Sequence, residues 1–221
     1  MRGHASGGLF VISGVAPPSG SGGVLQSPAV TEMSAIPMVF RDAVETLKSP
    51  PPRREIELSE IRPPKRLAPW THALAAEASG PEGTAVTARL VLLHDPDGQP
   101  SWDGVLRLVA YLRTDVGSDL ASDPGVPELG WSWLAEALRS CRAEHTALGG
   151  TVTVTSSARF GEIAEPEQEH ELELRGSWTP SDTDLSAHAR AFQEMIGVAA
   201  GLPPVGVSVL GNRTTERRRH V

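Results

Sequence analysis

The sequence predicts an α+β fold, an antiparallel sheet of four to five strands with helices packed on one face, behind a disordered amino-terminal extension. Three observations carry this expectation. Residues 84–94 and 104–114 alternate apolar with polar side chains, the two-residue period of a half-buried strand, and so do 151–160 and 169–178. Stripes of helical period occupy the stretches before and after the second pair. Strands with one apolar side need cover on that side alone, so hairpin, helix, hairpin and helix close into one layer on another.

The chain has 221 residues, a net charge of -7 and 39% hydrophobic residues, which suits one α+β domain over 36–211. Residues 1–35 are rich in Gly, Ser and Pro without any period and read as a disordered, incidental extension that a start at Met33 or Met38 would omit. Residues 212–221 read as a flexible basic tail containing Arg217, Arg218, Arg219 and His220. The run 9–15, broken by Ser13 and Gly14, makes a poor signal-peptide core, and no apolar run nears the roughly 20 residues of a membrane helix. Cys141, the single cysteine, cannot close an internal disulfide and suits a reducing compartment, so a cytoplasmic location without membrane contact is expected.

Taken in order, Pro37 opens a short helix through Phe40, Val44 and Leu47, which the prolines at 50–52 end. Ile56 and Leu58 alternate with Glu55 and Glu57 as an edge strand bounded by Pro63 and Pro64. Pro69 is expected to open a second short helix carrying Trp70, Ala73, Leu74 and Glu77. The first hairpin turns through DPDGQPSW; aligning Leu90 with Leu106 sets Ala88 against Leu108 and Val86 against Ala110. Trp131, Leu134, Leu138, Cys141 and His145 form the next helical stripe, with Trp133 at its edge and Gly149 and Gly150 as its stop. Pairing Ala158 with Leu172 in the second hairpin puts Val152 beside Trp178, Arg159 against Glu171 and Thr155 against Arg175. Ser181 or Asp182 caps a last helix through Leu185, His188, Phe192, Ile196 and Ala199, closed by Gly201; residues 205–209 suit a short strand.

The segments LLHDPDG (92–98), GWSWL (130–134), GGTVT (149–153), ELRGSWTP (173–180) and AGLPP (200–204) together resemble an actinobacterial family known only as a domain of unknown function. The likeness covers about 40–204. It carries over no catalytic residue, and the frequent placement of its members beside a ribonuclease D-like exonuclease implies a link to RNA metabolism. The element order is also similar to the small α+β fold of secretion chaperones, a likeness of fold alone.

No stretch forms a recognisable catalytic motif, and no cofactor is expected. His94, Asp95, Asp97 and Asp103, with Trp102, gather at the first hairpin tip, where a divalent ion is conceivable; Pro96 and Gly98 favour turn formation instead. Cys141 and His145, four residues apart beside Glu144, suggest a nucleophile and base, against the commoner reading of a buried thiol. The outer face of the first hairpin is more informative. The alignment above sets Arg89 directly against Arg107, with Arg113 and Tyr111 on the same side, and opposed like charges call for an anion. Either acidic neighbours (Glu55 and Glu57, or Glu171 and Glu173) or an external partner supplies it. These residues and Trp133 therefore point to a non-catalytic binding or adaptor protein with an unknown protein partner or a homodimer. RNA is the alternative partner, and an enzyme drawing on His94, Asp103, Glu136 and Arg139 is a third reading.

Overall fold

A computed structural model describes residues 36–64, 66–81, 83–164 and 168–204. Helix α1 (Met38–Lys48) comes first, then strands β1 (Ile56–Ile61), β2 (Trp70–Ser79), β3 (Ala85–Gln99) and β4 (Gly104–Asp115). A short helix α2 (Ser118–Ala121) and the longer α3 (Val126–Ser140) lead to β5 (His145–Ser157), β6 (Glu169–Pro180) and α4 (Ser186–Ala199). All pairings are antiparallel, and the strands form one six-stranded sheet in the order β1-β2-β3-β4-β6-β5. The sheet exceeds the expected four to five strands because residues 70–79 extend instead of coiling.

Strand β2 is alanine-rich, and alanine favours helix. Its environment decides otherwise. Leu74, Ala76 and Ala78 are buried on one face while Glu77 and Ser79 stay exposed, and β2 is hydrogen-bonded on both sides, to β1 and β3. The sequence signal was there in Pro69 and Gly80, which bracket a strand as readily as a helix.

The even-numbered residues of β3, β4 and β6 supply the core: Leu90, Leu92, Leu108, Leu112, Leu172, Leu174 and Trp178 are fully buried beneath Phe40 and Leu47 of α1, Leu134 and Leu138 of α3, and Phe192 and Ile196 of α4. Burying each such side chain stabilises the fold by about 1.5–3 kcal/mol. The parity expected from the alternation is therefore correct, and the helices share one face. Both registers are displaced by four residues. Leu90 opposes Ala110 instead of Leu106, and Val152 opposes Leu174 instead of Trp178. Strand β3 runs on through Asp95–Gln99 with a bulge and turns tightly at 100–103, so the loop absorbs fewer residues than DPDGQPSW suggested.

Helix α3 begins at Val126 and stops at Ser140, short of the glycine pair. Arg142 adopts φ 55°, and the Ala143 N–H donates to the Leu138 carbonyl, so a non-glycine residue makes the left-handed exit. Cys141 is thus the cap and His145 begins β5, which dissolves the proposed helical Cys–His pair. Gly149 and Gly150 lie within β5 after a bulge at Ala147. At the start of α4, Leu185 takes the cap position while Asp184 accepts from the Ser186 N–H at 3.0 Å, so neither Ser181 nor Asp182 caps it. Gly201 closes α4 at φ 66° as expected. Residues 1–35 and 205–221, which include the expected extension, short strand and basic tail, lie outside the described residues.

Candidate functional site

The helices cover one face of the sheet, and the other carries the odd-numbered residues of β2, β3, β4 and β6. Small apolar side chains from neighbouring strands line its middle: Ala73 opposes Val91, and Val91 opposes Val109. Around them lies a concavity of about 770 Å3 that Arg62, Glu77, Arg89 and Tyr111 also line.

Arg89 does not meet Arg107. It stands between Ala75 on β2 and Tyr111 on β4, exposed, with no hydrogen bond or ion pair among the described residues. Arg107 opposes Leu93, four residues and so about 13 Å further along β4 than Tyr111. Its guanidinium is buried and donates to the Thr179 hydroxyl at 3.1 Å and the Ser177 hydroxyl at 2.7 Å, while Thr179 donates in turn to the Trp102 carbonyl. Burial pulls the Arg107 pKa below its ordinary value. This arginine ties the hairpin turn to β6 and is closed to partners.

The acidic strands answer part of the demand for anions. Arg113 pairs with Glu171, and Arg175 donates to Glu173 at 2.7 Å. Tyr111 donates its hydroxyl to the same Glu173 at 2.9 Å, and the Arg175 guanidinium lies 5.6 Å from its ring centroid. The Arg175 hydrogen bond, helped by that of Tyr111, holds Glu173 below the usual carboxylate range; burial and then Glu173 push the Tyr111 phenol up. Strand β1 makes no such contribution: Glu57 faces Glu77 across β1 and β2, and Glu55 pairs with Arg53 and Arg54. Arg89 is left over. Trp133 is elsewhere, half-buried on α3 against the core cluster, on the helix side of the sheet.

The hairpin tip does turn chemistry. Asp95 accepts from the Asp97 N–H at 3.2 Å and from the Gln99 side chain at 3.2 Å, and Asp103 sits at φ 57° in the turn. His94 leaves the tip altogether: it is buried under α1, stacked 6.1 Å from Phe40, with Nδ1 on the Val105 carbonyl at 2.9 Å. Among the described residues no three His, Cys, Asp or Glu side chains are grouped to hold a metal ion. Glu136 and Arg139 are exposed on α3, on a different element from His94 and Asp103. Burial raises the Cys141 pKa, which disfavours a reactive thiolate.

A family model described as a protein of unknown function, DUF3000, matches residues 36–208. The chain belongs to the DUF3000 family. No curated protein and no solved structure matches it. Three of the segments that carried the resemblance meet in one place in this DUF3000 chain. Gly130 and Leu134 of α3 rest on Val152 of β5 and on Leu172 and Gly176 of β6, so these motifs build the helix-to-sheet contact and not the open face. Sequence reasoning missed the outer-face roles of Ala73 and Ala75, because β2 was read as a helix, and of Ser177 and Thr179, whose hydroxyls gave no sign of receiving a buried guanidinium. Among the described residues no helix is long and apolar enough to cross a membrane.

Proposed function

We propose that this DUF3000 chain is a non-catalytic binding protein whose open sheet face receives an acidic, partly apolar surface of a protein partner. One observation carries this reading: Arg89 is an exposed cation without an ion pair among the described residues, beside a concavity floored by alanine and valine. An apolar floor with a few placed polar groups is the usual composition of a binding site. A surface cation that needs no internal partner costs little to keep and steers an oppositely charged one. RNA is the weaker alternative, because base stacking wants an open aromatic face and Arg175 already lies over Tyr111.

Arg89→Glu tests the proposal. Used as baits in affinity capture from the native cell, the wild-type chain is expected to retain a protein that the variant loses, with unfolding free energies within about 0.5 kcal/mol of each other. Equal capture by both contradicts the proposal, and salt-sensitive retention of RNA instead of protein transfers support to the alternative.

A further inference from the structure

Strand β5 closes one end of the sheet, and among the described residues its outward backbone groups bond to no other segment. A free edge recruits another strand unless it is short, charged or interrupted by proline. The opposite edge has all three protections: β1 has 6 residues, carries Glu57 and Glu60, and runs into Pro63 and Pro64. Strand β5 has none. It is 13 residues long, and neither a charged residue nor a proline lies between His145 and Arg159. Threonine and valine alternate from Thr151 to Thr155, the residue types best suited to pairing. Cover on the helix side is also incomplete there, since Val152, Val154 and Trp131 are half-buried and Leu129 is exposed.

We infer that β5 is a self-association edge, at which two copies of the chain pair antiparallel about a twofold axis through Thr153. The strand itself selects this axis. Past the bulge, the β5 ladder runs without interruption from Gly149 to Ser157, and Thr153 is its midpoint. Pairing about that point sets Val152 against Val154 of the partner subunit on the helix side. Thr151 meets Thr155 of the partner subunit on the open side. Every central contact is then between β-branched side chains, and no like charges meet. Elsewhere a chain of net charge -7 repels its copy, so an uncharged, self-complementary edge is where an isologous contact costs least.

Sedimentation of the full chain is expected to give a dimer. In Thr153→Lys the new side chain lies opposite Glu173 of its own chain, which the fold tolerates, but it meets its own copy across the axis. The dimer dissociation constant should rise at least about tenfold, while the circular dichroism melt stays cooperative. Thr153→Cys in a Cys141→Ser background should cross-link two chains on mild oxidation, whereas Glu57→Cys, on the protected edge, should not; this pair decides the matter even if the lysine variant fails to fold. A monomeric wild-type chain, a dimer that Thr153→Lys leaves intact, or an uncross-linked Thr153→Cys overturns the inference.

Discussion

Trp178 and His188 form a polar pair at the centre of an apolar core. The indole N–H donates to Nδ1 of His188 at 3.1 Å, so that nitrogen must be bare and the imidazole neutral. Burial, with the His145 charge adding to it, takes the His188 pKa from 6.5 to about 4. Burial lowers His72 in the same direction. A histidine whose folded pKa is depressed binds its proton first in the unfolded chain, so its stabilising contribution is complete above pH 6.5 and is lost progressively as pH falls from 6.5 to about 4. For His188 this amounts to about 3 kcal/mol at most. Urea unfolding should show the wild-type chain losing stability between pH 6.5 and 5, with a shallower loss in His188→Gln, whose amide oxygen still accepts from Trp178; equal slopes would show that His188 is not held neutral.

Among the elements, α3 and its landing site depend on close approach. Gly150 and Gly176 face each other across β5 and β6. A Cβ on Gly150 would lie 2.1 Å from the Arg175 carbonyl oxygen and 2.7 Å from the Trp131 ring, whereas one on Gly176 would meet chiefly a terminal methyl of Leu134 at 2.2 Å. Backbone cannot rotate away as a leucine methyl can. Gly150→Ala is therefore expected to cost more than Gly176→Ala in thermal unfolding, about 2–4 kcal/mol against about 1–3 kcal/mol, values typical of overpacking; the reverse order would mean that β5 moves freely under α3. The same glycines show what periodicity misreads. A glycine pair after an apolar stripe looks like a helix stop, yet here Arg142 makes the exit and the glycines lie within a strand. Face assignments were legible because the two-residue period survives any even shift. Register was not, since both hairpins slipped by four residues without changing a single face; in the first, the bulge at 95–98 beside the turn shifts the pairing.

At the scale of the molecule, one sheet separates a helix-covered core from an open face, and among the described residues the main cluster of buried apolar side chains lies on the covered side. Patterning alone foretold that separation. Which arginines remain available was hidden, because it depends on partners contributed by distant strands: Glu171 and Glu173 satisfy Arg113 and Arg175, hydroxyls of β6 hold Arg107, and Arg89 on β3 makes no ion pair among the described residues. A binding role for the open face rests on that difference. Mass-spectrometric mapping of arginine modification by phenylglyoxal on the native chain measures it directly. Among the four sheet arginines, Arg89 should react fastest, Arg113 and Arg175 more slowly, and Arg107 only on unfolding. Modification of Arg107 as fast as that of Arg89 would contradict the proposed division between a structural and an available cation.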